Sequence, residues 1–405
     1  MQGMAVLSCW VLGALQGAIL ILIPQMMLQG QLSAMQLAIP LSLGTFIFLY
    51  CSGRWGQLLD ARCADNKSII FVLRWALFGF LISQLSFILI LQQGSFQGVT
   101  LVAALCLSRV LHGVFCSAIM PTAQLSLSRN DVKGDKIVWS SIATNIGRLT
   151  APLLTFVPIE LTYFSLWFIA AMTIIAVVIA CLNRDNHTTE VNTSSLPSAS
   201  KPKSESELFS LLTNPLLLSV CISALLISLY SSQLQFSLGP LFLTQFSDAA
   251  AASQMTARLL LTASVSAAIS LFVLYRPLSR FPRVFLLVIT SSFMIGSALF
   301  ALQQYLFIAI TLISAALSMA PAWYTALAIH SSQHHKARTS AAVTQGHTLG
   351  NALGGLMGGL LLLLGQQAIL SSFILLMFFI LLAWLAVHRQ SIRSAQMTNS
   401  MMSIP

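Results

Sequence analysis

Two arginines and two histidines, Arg109, His112, Arg148 and His347, stand inside long apolar stretches that hold no carboxylate. The ten acidic residues are Asp60, Asp65, Asp131, Asp135, Glu160, Asp185, Glu190, Glu205, Glu207 and Asp248, and each lies at or beyond the edge of such a stretch. A guanidinium in hydrocarbon costs at least ~2.5 kcal/mol, so these residues are expected to face a protein interior or a water-filled path. Cations without a neighbouring carboxylate suit an anionic ligand, because a guanidinium fork grips a carboxylate through two parallel hydrogen bonds. An imidazole, whose unperturbed pKa is ~6.5, can carry a proton at physiological pH, which makes His112 and His347 proton-coupling candidates.

Bond-making chemistry is not expected. The chain has no HExxH, no GxSxG and no paired intramembrane carboxylates, so neither a hydrolytic metal centre nor a nucleophile–base pair is predicted. The seven cysteines are scattered, with no CxxC or Cys/His spacing. They read as small apolar helix residues rather than metal ligands. No cofactor is expected.

The residues around these cations must be membrane helices. Hydrophobic residues make up 57% of the 405 and charged residues 7%, against about 25% charged in soluble domains. Twelve segments, 4–24, 34–53, 68–92, 99–127, 138–158, 160–182, 215–237, 253–275, 284–304, 305–330, 339–365 and 367–388, each supply the roughly 20 apolar residues that a hydrocarbon core demands. The first has no Lys or Arg before it and no small-residue cleavage site, so a retained helix is expected.

Lys and Arg fall in alternate loops. Arg54, Arg62 and Lys67 follow the second segment, Arg129, Lys133 and Lys136 the fourth, and Arg184, Lys201 and Lys203 the sixth. Arg276, Arg280 and Arg283 follow the eighth, Lys336 and Arg338 the tenth, and Arg389 and Arg393 the twelfth. The positive-inside rule then places both termini in the cytoplasm, and the inner (plasma) membrane is the expected location. The formal net charge of +10 is largely this topological signal, so a nucleic-acid partner is not expected.

Residues 183–213 abruptly replace apolar sequence with Ser, Thr, Asn, Pro and charge, the composition of a flexible linker. The chain thus divides into an N-terminal six-helix bundle (1–182), a cytoplasmic linker (183–213), a C-terminal six-helix bundle (214–388) and a cytoplasmic tail (389–405). The halves share an offset of 200 residues: Pro121 matches Pro321, and Ser140, Thr144 and Asn145 match Ser340, Thr344 and Gln345. A duplicated unit with a site between its halves is the architecture of secondary transporters. Segment 11 adds Gly346, Gly350, Gly354 and Gly358, with Gly355 and Gly359 alongside, a stripe that lets another helix approach closely.

Arg109 lies ten residues into segment 4 from one side and Arg148 ten residues into segment 5 from the other. At ~1.5 Å per residue both are ~15 Å deep, level enough to meet across one cavity. His112 is one turn from Arg109 on the same face. Gln16, Gln124, Asn145, Tyr230, Gln233, Trp323, Tyr324 and Gln345 are expected to line the cavity, Trp323 and Tyr324 because a bend at Pro321 would expose them.

Three patches resemble the major facilitator superfamily. Between segments 2 and 3, Gly56-Gln57-Leu58-Leu59-Asp60-Ala61-Arg62 is similar to the G-x-L-a-D-R loop, with Cys63 and Ala64 where a second Gly and a basic residue are usual. In segment 4, Arg109-Val110-Leu111-His112-Gly113 resembles R-x-x-q-G with His for Gln. In segment 5, Gly147-Arg148-Leu149-Thr150-Ala151-Pro152 resembles the G-x-x-x-G-P motif of antiporter-type exporters, with Ala for the second Gly. The resemblance spans nearly the whole chain. It implies an all-α membrane protein of twelve helices in two pseudo-symmetric six-helix bundles, working by alternating access. It also implies a gate at Gly56, Asp60 and Arg62, the Asp60 carboxylate interacting with a helix terminus and neighbouring cations.

The expected substrate is a small, carboxylate-rich anion that is exported, and among export-type members the carboxylate-siderophore exporters are the ones the chain resembles. The expected binding residues are Arg148, Arg109, His112, Asn145, Gln16, Tyr230, Gln233, Trp323, Tyr324, Gln345 and His347. Protons or a counter-anion would drive transport, with the lipid bilayer as the other partner. Proton-coupled uptake of an organic acid or nutrient, and multidrug efflux, are the alternatives.

Overall fold

A computed structural model describes residues 2–62, 66–94, 96–128, 138–157, 163–182, 214–246, 248–331 and 336–402. The expected linker, 183–213, lies outside the described residues. The protein is all-α, with twelve main helices: α1 (Gln2–Gly30), α2 (Ala34–Arg62), α3 (Asn66–Gln92), α4 (Gly98–Ser128), α5 (Val138–Leu154), α6 (Phe164–Leu182), α7 (Pro215–Gln245), α8 (Ala249–Ser279), α9 (Pro282–Ala301), α10 (Leu306–Ser331), α11 (Lys336–Leu363) and α12 (Gln366–Met402). In hydrocarbon every backbone polar group must be bonded within the segment, which leaves helix as the form these apolar runs can take. Among the described residues, ten helices are long and apolar enough to cross a membrane. The other two are α5, described over 17 residues, and α11, whose apolar content is diluted by Gly, Thr, Gln, His and Asn.

Local chemistry sets several ends. Ser33 and Gln36 close a reciprocal cap on α2, Ser33 N donating to Gln36 Oε1 at 2.8 Å and Gln36 N to Ser33 Oγ at 3.2 Å. Asn214 caps α7 ahead of Pro215, and Asp248 caps α8 by accepting from the amides of Ala250 and Ala251, both at 3.1 Å. Within α8 a π turn at Ser270–Leu274 precedes Pro277. Proline has no N–H and its ring crowds the carbonyl four residues back, here Val273, so the helix widens there.

Two expected boundaries move. The motif Gly56–Arg62, expected as a loop, continues α2 as helix, and the tail beyond 388 continues α12 to Met402. Once polar residues reach water they continue a helix at little cost, so hydropathy marks where the apolar run stops rather than where the helix does.

Packing repeats between the halves. In the first, α1 lies on α5, α2 on α4, α3 on α4 and α6; in the second, α7 lies on α11, α8 on α10, α9 on α10 and α12. The halves meet through α2 on α11 and, in the symmetric position, α5 on α8, with α1 also touching α7 and α8. Each bundle carries its own core. Tyr230, Phe293, Phe300, Phe373 and Trp384 cluster in the second, all at most 2% exposed, with Tyr230 edge-on to Phe293 and Phe373 at centroid distances of 5.0 and 5.2 Å.

Candidate functional site

The site is set by how α2 meets α11. Ala341, Thr344, Gln345, Thr348, Asn351, Gly355 and Gly359 lie along one face of α11, each three or four residues from another of the set. Over its late half this face is sealed: a methyl group on Gly359 would strike Ala38 and the α2 backbone at Ala34, and one on Gly355 would sit 3.3 Å from Ser42 Oγ. Over its early half the same face is open, with Ala341, Thr344, Gln345 and Asn351 exposed. The helices therefore touch at one end and splay at the other. Gly239 of α7 against Ile23 and Pro24 of α1 closes the same end. The open end carries Arg54, Arg276, Arg280, Arg283, Arg389 and Arg393, and is called the basic end below.

Asn145 and Arg148 of α5 are likewise exposed, midway along an otherwise apolar helix. Close crossing of α1 and α5 puts Arg148 beside Gln16, since Gly17 leaves room only for the Arg148 backbone and Gly147 only for that of Trp10. Gln16 Oε1 accepts from Arg148 Nε at 3.1 Å and from Nη2 at 2.9 Å. One edge of the guanidinium is thereby pinned. Among the described residues nothing hydrogen-bonds Nη1, so the Nη1–Nη2 edge, which can also grip a carboxylate in fork geometry, stays available.

His347, half-buried on α11, is held at both ring nitrogens. Ser228 Oγ of α7 lies 2.6 Å from Nδ1, and the Tyr324 hydroxyl of α10 lies 3.2 Å from Nε2, its ring stacked at 6.1 Å. Ser228 was not expected from the sequence: it is one of many small polar residues in α7, and only the close crossing at Gly350, which a methyl would drive into the Leu225 carbonyl, brings it to the imidazole.

The remaining expected residues divide. Arg109 and His112 are buried, at 9% and 5% exposed. Arg109 packs against Gly44 of α2, where a methyl would meet its Nε at 3.1 Å, and among the described residues that Nε has no hydrogen-bond partner. His112 packs against Phe80, with ring centroids 5.3 Å apart. Arg109 and Arg148 are thus held by different helix pairs, α2–α4 and α1–α5. Gln124 is half-buried.

Four wall assignments are corrected. Tyr230 is fully buried with its hydroxyl 2.9 Å from Ser297 Oγ, and Gln233 is fully buried with Nε2 donating to Ser372 Oγ. Helix spacing alone does not say which face looks inward, and these two look into the second bundle. Tyr324 is also fully buried, and half-buried Trp323 lies 6.0 Å from Phe285, so Pro321 does not expose them. Gly56 has open space around it. The side chains of Asp60 and Arg62 lie outside the described residues, as do Cys63 and Ala64.

At the sealed end a second cavity of about 490 Å³ lies among α1, α5, α6 and α8, lined by Gln25, Gln29, Tyr163, Asp248, Ser253 and Gln254 with apolar neighbours. The Tyr163 hydroxyl donates to Gln29 Oε1, and burial pushes its pKa above the usual value.

The fold is that of the major facilitator transporters. The chain superposes on a bacterial homologue of the human lysosomal transporter Spinster, in an inward-facing and unoccupied conformation, with TM-score 0.68 and 15% identity, covering 97% of this chain and 96% of that one. It superposes on the nucleoside transporter NupG with TM-score 0.68 and 14% identity, over 96% and 98% of the two chains. For a D-xylose–proton symporter the TM-score is 0.67 and the identity 11%, over 95% and 96%. No family model matches the sequence, and no curated protein does.

Proposed function

We propose that this protein is a secondary active transporter that exports a small, carboxylate-rich anion by alternating access, with Arg148 as the residue that grips the anion. One observation carries this reading: an exposed guanidinium, pinned along one edge by Gln16 and open along the other, in a cleft whose helices hold no carboxylate away from their ends. The fold supports the transporter class. A siderophore-like polycarboxylate fits the charge, and the segment 5 motif supports export. Asn145 and Gln345, exposed on α5 and α11, supply amide donors in the same cleft, and Arg109 contributes positive potential from within the first bundle. By the positive-inside rule the basic end is cytoplasmic, both termini lie there in the inner membrane, and the open cleft is inward-facing. Gly56, Asp60 and Arg62 form the gate on that side, a role supported by their likeness to the family motif.

The test is binding of citrate and of its neutral trimethyl ester to purified protein. Wild type should prefer the acid. Arg148→Ala should weaken citrate by two decades or more, since it removes a fork of two charge-assisted hydrogen bonds worth ~1.5–3 kcal/mol each. Equal affinity for acid and ester, or unchanged citrate affinity in the variant, overturns the anion site. Accumulation of citrate in everted rather than right-side-out vesicles tests the direction.

A further inference from the structure

A transporter of this kind needs a coupling ion, and the ten carboxylates, usual proton carriers, all lie at the ends of the membrane segments or outside them. Away from the ends of the spans, the imidazoles, a group whose unperturbed pKa is ~6.5, are those of His112 and His347, and their surroundings differ. His112 is one turn from the Arg109 guanidinium, packs on Phe80 and is 5% exposed. A proton there would set a second positive charge beside the first, and among the described residues no hydrogen bond holds the imidazole, an unfavourable setting for an imidazolium. His347 is half-buried, next to the open face of Thr344, Thr348 and Asn351, and both its nitrogens face hydroxyl oxygens. A neutral imidazole donates from one nitrogen and accepts at the other, whereas an imidazolium donates from both. A hydroxyl can do either, so Ser228 and Tyr324 satisfy His347 in both charge states without a change of partner.

Building on the transporter reading above, we infer that His347 is the proton-coupling site of this protein, seated between Ser228 and Tyr324, and that His112 is a packing residue that stays neutral. The groups facing His347 are consistent with this. From α10 comes Tyr324; from α7 come Ser228 and, against Gly346, Cys221. Among the described residues no Asp, Glu, Lys or Arg is bonded to any of them. The imidazole ties α11 to α7 and α10, and the same helix seals against α2 at the far end, so the proton acts on an element that must move when the cleft changes sides.

Two measurements test this. Histidine-labelled protein in nanodiscs is titrated by NMR from pH 4.5 to 8, comparing wild type with His347→Gln and His112→Gln. One titrating imidazole resonance should vanish in His347→Gln and survive in His112→Gln; a titrating resonance assigned to His112, or none to His347, overturns the proposal. In proteoliposomes, citrate accumulation driven by a pH gradient is compared with citrate exchange at equal pH. His347→Gln should cut the ratio of driven accumulation to exchange at least tenfold. An unchanged ratio, or loss of exchange together with accumulation in folded protein, overturns it. Failure of wild type to move citrate would count against the anion reading alone, and the titration still decides His347.

Discussion

Arg148 is available to a ligand because Gln16 takes only one edge of its fork. Gln16→Leu leaves the charge but frees the guanidinium to swing, and a hydrogen bond to a charged group is worth ~1.5–3 kcal/mol. Citrate affinity should fall about tenfold, less than for Arg148→Ala. Arg148→Lys should fall between the two, because an ammonium keeps the charge and loses the planar fork; binding titrations rank the three. Tyr230 makes the opposite case. Its hydroxyl bonds Ser297 inside an aromatic cluster, so Tyr230→Phe should lower stability by about 1 kcal/mol and leave citrate binding intact. A binding defect in that variant, with unfolding unchanged, would return Tyr230 to the cleft. At this scale the sequence marked the cations but not their partners: polar residues deep in apolar runs are visible from composition, whereas the orientation of a helix about its axis is not.

Among the elements, α11 does two jobs with two glycine rows. Gly350 and Gly354 admit the backbone of α7, while Gly355 and Gly359 admit α2. Gly350→Leu or Gly354→Leu must push α7 away and with it Ser228 from His347. Both should reduce folded yield in size-exclusion chromatography and abolish transport. Gly56→Ala, with nothing near the added methyl, should leave folded yield at the wild-type level; a collapse there would show that the motif's glycine is needed for packing after all. The stripe itself was plain in the sequence because small residues at every fourth position have one geometric meaning. Which neighbour each row met was not, since small rows fit several helices equally well.

The whole molecule stands open at its basic end and sealed at the other. A membrane-impermeant maleimide applied from the basic end should label Thr344→Cys, above the background of the native cysteines, and leave Ala38→Cys unlabelled, because Thr344 is exposed and Ala38 fully buried against α11. Saturating citrate should reduce labelling at Thr344 if binding favours closure of the cleft. Labelling of Ala38→Cys in the free protein would mean that the sealed end opens readily.

Hydrocarbon fixes much of this protein in advance. A segment of about 20 apolar residues has one way to satisfy its backbone, so the run lengths of the sequence determined the twelve helices, and the 200-residue offset pointed to their duplication. The choice of partners belonged to the tertiary structure. Hydrogen bonds such as Arg148 to Gln16, 132 residues apart, or Ser228 to His347, 119 apart, depend on which helices cross and on how each is rotated. In a chain apolar on nearly every side, no periodicity records that rotation; it is decided by the close packing of small residues, helix against helix.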